Sequence, residues 1–149
     1  MPAGKGKRES GEGEKIGQNK QAFAELSYVS LIKINLNIGG IMIKINNLPS
    51  PLRKEGIGRK LENICSAYDV IKLAIFGSFI KKLHHRKSDV DIAVEFDSSK
   101  PKDLFDLVRL EREIRGIFRK KVDLVIISSI NPHLRKEILK EMRFIYEKR

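Results

Sequence analysis

Two segments decide the fold: Ile75-Phe76-Gly77-Ser78 and, after ten intervening residues, Asp89-Val90-Asp91-Ile92-Ala93-Val94-Glu95-Phe96. Val70 to Phe76 reads as a strand that ends in a Gly-Ser turn. A polar loop follows, and Asp89 to Phe96 reads as a second strand that opens with two carboxylates at i and i+2. Side chains alternate along a strand, so Asp89 and Asp91 are expected on one face. Two adjacent carboxylates repel unless a cation lies between them, and Mg2+ takes oxygen ligands that it shares with substrate phosphates. A turn of two small residues lets backbone N–H groups approach those phosphates. The pattern implies a site for a nucleoside triphosphate and its metal. The competing reading is an ordinary Ser-Asp turn at a strand start.

The flanking segments predict an α-β-α-β-α-β-α order. Ile57, Leu61, Ile64, Cys65 and Tyr68 fall at helical spacing and predict a helix over 52–67. Ser78 to Leu83 is expected to form a short helix or turn. Leu104, Leu107, Val108, Ile114 and Phe118 predict an amphipathic helix over 102–118, with Pro101 at its start. Val122 to Ile127 is a third strand. Asn131-Pro132 reads as N-cap and first helical position. Leu134, Ile138, Met142 and Ile145 then extend a C-terminal helix to Tyr146. The fold class is α/β (α+β), a small mixed β-sheet flanked by helices.

Asp123 stands second in the apolar run Val122 to Ile127, where a buried carboxylate is costly without a partner. A metal, or a role as base toward an acceptor hydroxyl, resolves that cost. The other reading is a solvated strand end, or pairing with Lys120 or Lys121. Lys81, Lys82, Arg86 and Lys87 lie in the loop between the first two strands with His84 and His85. They offer charge for phosphates or simply form a solvated basic loop. Cys65 on an apolar stripe reads as core, as do Phe76 and Phe79, although Phe79 also suits base stacking.

Gly-Ser, ten residues, Asp-x-Asp and a later Asp resemble the signature of the DNA polymerase β-like nucleotidyltransferases. The resemblance is closest to the minimal nucleotidyltransferases (MNT), antitoxin partners of HEPN-domain toxins. It covers residues 52–147. It implies the nucleotidyltransferase fold, catalytic and metal-binding roles for Asp89, Asp91 and Asp123, and phosphate binding by Gly77 and Ser78. It also implies two Mg2+ ions, ATP as substrate, and AMP transfer to a tyrosine of a HEPN toxin that silences it. Many members carry Gly four residues after the Ser, where this chain has Lys82. That departure is the one feature favouring a non-catalytic binding module. Transfer to a small molecule or to an RNA end is the remaining alternative.

The chain has 149 residues, enough for one domain with a substantial core. No apolar run reaches the roughly 18–20 residues of a membrane span, no signal-peptide core precedes residue 22, and one cysteine excludes an internal disulfide. The expected location is the cytoplasm. Net charge is +11, of which residues 1–41 hold +2 and residues 42–149 hold +9. A basic surface attracts polyanions such as ATP, nucleic acid or an acidic protein; a solvated basic face is the plainer account. Residues 1–20 are polar and glycine-rich and predict a disordered tail. Residues 21–50 read as an N-terminal extension. Within it, 31–46 alternates around Gly39-Gly40 as a hairpin does, or 1–41 is an upstream segment before Met42. Residues 51–149 are assigned to the nucleotidyltransferase domain.

Overall fold

The structure, a computed structural model, describes residues 36–149. Among them, six strands form one sheet: β1 (Leu36–Ile38), β2 (Ile41–Ile43), β3 (Val70–Phe76), β4 (Val90–Phe96), β5 (Val122–Ile126) and β6 (Arg143–Lys148). The order is β1-β2-β6-β3-β4-β5. Every pairing is antiparallel except β4 with β5, which is parallel and joined by the crossover helix α2 (Leu104–Phe118). The sheet is therefore mixed and helix-flanked, as expected. Helix α1 (Ile57–Ala67) precedes β3, and α3 (Pro132–Glu141) precedes β6.

Alternation sorts the two faces. Leu73 and Ile75 point into the main core with Ile43, Leu61, Cys65, Ile92, Leu110, Ile114 and Tyr146, beneath α1 and α2. Ala74 and Ala93 point to the other face, where Ile127, Ile130 and Met142 pack with Phe76, Ile138 and Phe144. Helix α1 buries Ile57, Leu61 and Cys65 at four-residue steps. Each such aliphatic burial contributes about 1.5–3 kcal/mol.

Helix α2 starts with a reciprocal capping box. Asp103 accepts from the Asp106 N–H, and Asp106 accepts from the Asp103 N–H. The cap is Asp103, so Pro101 lies outside the helix and does not open it. Lys54 Nζ donates to the Phe118 carbonyl at 3.0 Å and closes the other end. Asn131 and Pro132 occupy the expected cap and first position of α3.

Three further expectations are corrected. The C-terminal helix does not reach Tyr146. It ends at Glu141, Met142 turns extended, and Arg143–Lys148 is a central strand between β2 and β3. The first helix begins at Ile57, not residue 52, because Ser50–Leu52 forms a separate 3-10 turn. The hairpin is tight around Gly39 and Gly40, but Ile45–Asn47 leaves it as a 3-10 turn, and residues 31–35 lie outside the described residues. The hairpin is continuous with the rest of the sheet through β2–β6 pairing. Ile43 and Leu48 are in the main core. The predicted tail 1–20 lies outside the described residues.

Candidate active site

Asp89 ends the loop before β4, and Asp91 is the second residue of that strand. In the parallel register Asp91 pairs with Asp123, and Ala93 pairs with Val125. Asp91, Ala93, Asp123 and Val125 therefore share one face. Neighbouring strands are about 4.8 Å apart, so the two carboxylates are close neighbours. Phe76, the last residue of β3, pairs with Asp91 from the other side. The chain leaves β3 directly into the 3-10 turn Gly77–Phe79.

Gly77 is fixed there by two constraints. Its φ of 70° lies in the left-handed region, and a Cβ would collide with the Asp91 carboxylate. The Gly77 carbonyl accepts from the N–H groups of Ile80 and Lys81, which ties the turn. The Ser78 backbone N–H faces Asp91. The Asp91 carboxyl is pushed above its ordinary value by burial, then by the charge of Asp123; the Ser78 N–H opposes the rise, and Asp89 adds to it.

Asp123 is more than half exposed with Lys121 beside it, so the solvated strand end is the reading observed and the burial cost does not arise. β5 is the sheet edge and Asp123 is near its start, so water reaches it. Lys121 sits between the acids, its Nζ 2.7 Å from Asp89 Oδ2 and 3.9 Å from Asp123 Oδ1. Its role as a bridge was not legible in the sequence, which offered it only as a partner of Asp123. The loop residues separate: Lys81 pairs with Glu141 at 3.1 Å, and Lys82 adopts φ 58°. Phe79 and Cys65 are core, and the Phe79 ring stacks on His84 with centroids 4.5 Å apart.

The donor set suits a hard divalent cation in its chemistry: carboxylate oxygens only, mutually repelling, with a cationic nitrogen already between two of them. Among the described residues, no three His, Cys, Asp or Glu side chains converge tightly enough to hold an ion as they stand. Nor is any described helix long and apolar enough to cross a membrane.

A parallel-crossover sheet with a Gly-Ser turn against an Asp-x-Asp strand defines a nucleotidyltransferase scaffold. The profile of the family described as polymerase beta, nucleotidyltransferase matches residues 59–149. The chain belongs to that family, among its minimal nucleotidyltransferases. It is 40% identical over 85 residues to MJ0435 of Methanocaldococcus jannaschii, assigned by name to the protein adenylyltransferases; the match spans 57% of this chain and 89% of the relative. It is 30% identical over 78 residues to the protein adenylyltransferase MntA of Thermococcus cleftensis, spanning 52% and 77%. A solved minimal nucleotidyltransferase superposes with a TM-score of 0.50 at 26% identity, over 57% of this chain and 87% of that one. A toxin–antitoxin crystal structure with AMP-PNP has the same fold, with a TM-score of 0.51 at 22% identity over 61% and 73%.

Proposed function

We propose that this chain transfers AMP from ATP, with Mg2+, to a tyrosine hydroxyl of a HEPN-type toxin, and so acts as its antitoxin. The observation that carries the chemistry is the β4–β5 register, which sets Asp123 beside Asp91 while Gly77 abuts the Asp91 carboxylate from the β3 side. Protein adenylyltransferase relatives support a protein acceptor. The toxin as partner rests on the resemblance to MNT antitoxins and on the relative named as the protein adenylyltransferase MntA.

Asp89 and Asp91 would hold the metal, with Asp123 completing the set. Bound there, Mg2+ supplies neutralisation of triphosphate and pyrophosphate charge. Gly77 and Ser78 hold the β- and γ-phosphates through the Gly77 N–H and the Ser78 hydroxyl, the Ser78 N–H being turned to Asp91. Asp123, exposed at the sheet edge, faces the acceptor and takes the hydroxyl proton. The acceptor oxygen bonds to the α-phosphorus, the bond from that phosphorus to the bridging oxygen breaks, and pyrophosphate leaves. Lys121 bonds Asp89 Oδ2 and would compete with a cation for that oxygen.

Labelled ATP, Mg2+ and a HEPN-type toxin test the reading: label enters the toxin with the native chain and not with Asp91→Asn. Unlabelled toxin, despite bound Mg·ATP, would reject it.

A further inference from the structure

The face of α2 that points away from the core changes character along its length. Leu110, Ile114 and Phe118 are buried. On the opposite side Phe105, Val108, Arg112, Arg115 and Arg119 follow one another at three- and four-residue steps, all exposed. The N-terminal half of this stripe is apolar, with Leu104 71%, Phe105 70% and Val108 56% exposed. Large apolar side chains clustered this openly mark contact surfaces. The C-terminal half is basic. Arg112, Arg115, Gly116, Arg119, Lys120 and Lys121 line an open groove of about 450 Å3. Among the described residues, Arg112, Arg115 and Arg119 have no acidic partner.

The groove leads to the acids. Lys121 lines it and donates to Asp89. The sheet order separates two flanks: Gly77 and Ser78 follow β3 on one side of Asp91, and Asp123, Lys121 and the groove lie on the β5 side. A nucleotide seated at Gly77-Ser78 leaves the β5 flank for whatever presents the hydroxyl.

We propose that the α2 stripe and its groove dock the acceptor protein through a surface that is apolar at one end and acidic at the other, its carboxylates lying against Arg112, Arg115 and Arg119. This rests on the transferase reading and adds the chemistry of the partner face. Arginine forks pair bidentately with carboxylates. Nucleic acid fits less well: single strands bind by stacking bases on aromatic rings, none of which lines the groove, and the exposed Leu104, Phe105 and Val108 would have no partner on a phosphate backbone.

Gly116 supplies a clean test, because a Cβ there meets no heavy atom within 4 Å. A side chain at this position starts in open space on the lining of the groove. The probes are two fluorescent peptides, each with one tyrosine and a Leu-Phe pair, flanked by glutamates in one and by lysines in the other. Binding is read by anisotropy without ATP, and AMP addition by mass with Mg·ATP. The glutamate peptide is expected to bind the native chain about tenfold or more tighter than the lysine peptide, and to lose that advantage in Arg112→Glu/Arg115→Glu and in Gly116→Trp. Mg·ATP binding is expected to stay unchanged in both variants. Equal binding of the two peptides, or undiminished binding by the variants, overturns the proposal. So does displacement of the glutamate peptide by a short single-stranded RNA whose own binding the variants abolish. Variant-sensitive binding without AMP addition supports the docking face and counts against the transferase reading alone. AMP addition to both peptides alike, indifferent to the variants, does the reverse.

Discussion

The ammonium of Lys121 donates to the carboxylate of Asp89 at 2.7 Å, at the point where a cation would neutralise the acids of β4 and β5. A cation that takes Asp89 Oδ2 as ligand competes with this bond. Lys121 is mostly exposed, so solvent screens the pair and the contact is weak. Lys121→Met is therefore expected to tighten Mn2+ binding up to about fivefold, measured by calorimetry. Weaker binding in Lys121→Met would mean that Lys121 helps to assemble the site instead of guarding it.

Gly77→Ala is expected to abolish transfer and to lower stability by about 1–3 kcal/mol, since both its φ and the Asp91 carboxylate exclude a side chain. Gly116→Ala serves as the contrast. It adds a methyl to an exposed helix position with open space around it, and is expected to stabilise by about 0.5–1 kcal/mol. Denaturant titration of the two variants checks both signs.

Lys82 takes φ 58°, a conformation that favours glycine. Glycine would fit this position without strain, and the turn forms here with Lys. Lys82→Gly is expected to leave transfer intact and raise the melting temperature slightly. Loss of transfer in that variant would assign Lys82 a contact with substrate.

Asp69 joins α1 to β3 and bonds Lys100 at 2.6 Å and Lys102 at 2.8 Å. The hydrogen bonds from Lys100 and Lys102 hold its carboxyl near 2, below the ordinary 3.8. A carboxyl depressed in the folded state contributes stability above its unfolded value, lost as pH falls through its folded value. The stability gap between the native chain and Asp69→Asn is therefore expected to be flat at neutral pH and to close between about pH 4 and pH 2. A gap independent of pH in acid unfolding would contradict the pairing.

The strands that build the site were legible because each is an apolar run bounded by turn residues. Val70 to Phe76 is observed as expected, and β4 and β5 differ by one residue at an end. β6 was not legible. Leu134, Ile138, Met142 and Ile145 keep helical spacing across a boundary set by tertiary pairing, because the partners of Arg143–Lys148 lie on β2 and β3, far away in sequence. Spacing alone singles out Asp89, Asp91, Gly77 and Ser78 as candidates, and the structure sets Gly77 against the Asp91 carboxylate. Asp123 is a candidate from the resemblance and from burial cost; the burial argument fails because the residue is exposed, and the structure adds its register beside Asp91. The apolar stripe expected for α2 mixes two faces: Ile114 and Phe118 are buried, but Leu104 and Val108 are exposed on the arginine side. The signal of that side was present in Arg112, Arg115 and Arg119, opposite Leu110, Ile114 and Phe118.

Intact-mass spectrometry of a HEPN-type toxin after incubation with this chain, Mg2+ and ATP tests the central claim most directly. The account predicts added mass in whole AMP units with the native chain and none with Asp89→Asn, whose fold and toxin binding persist. Unchanged toxin mass in a stable complex, or full modification by Asp89→Asn, would contradict it.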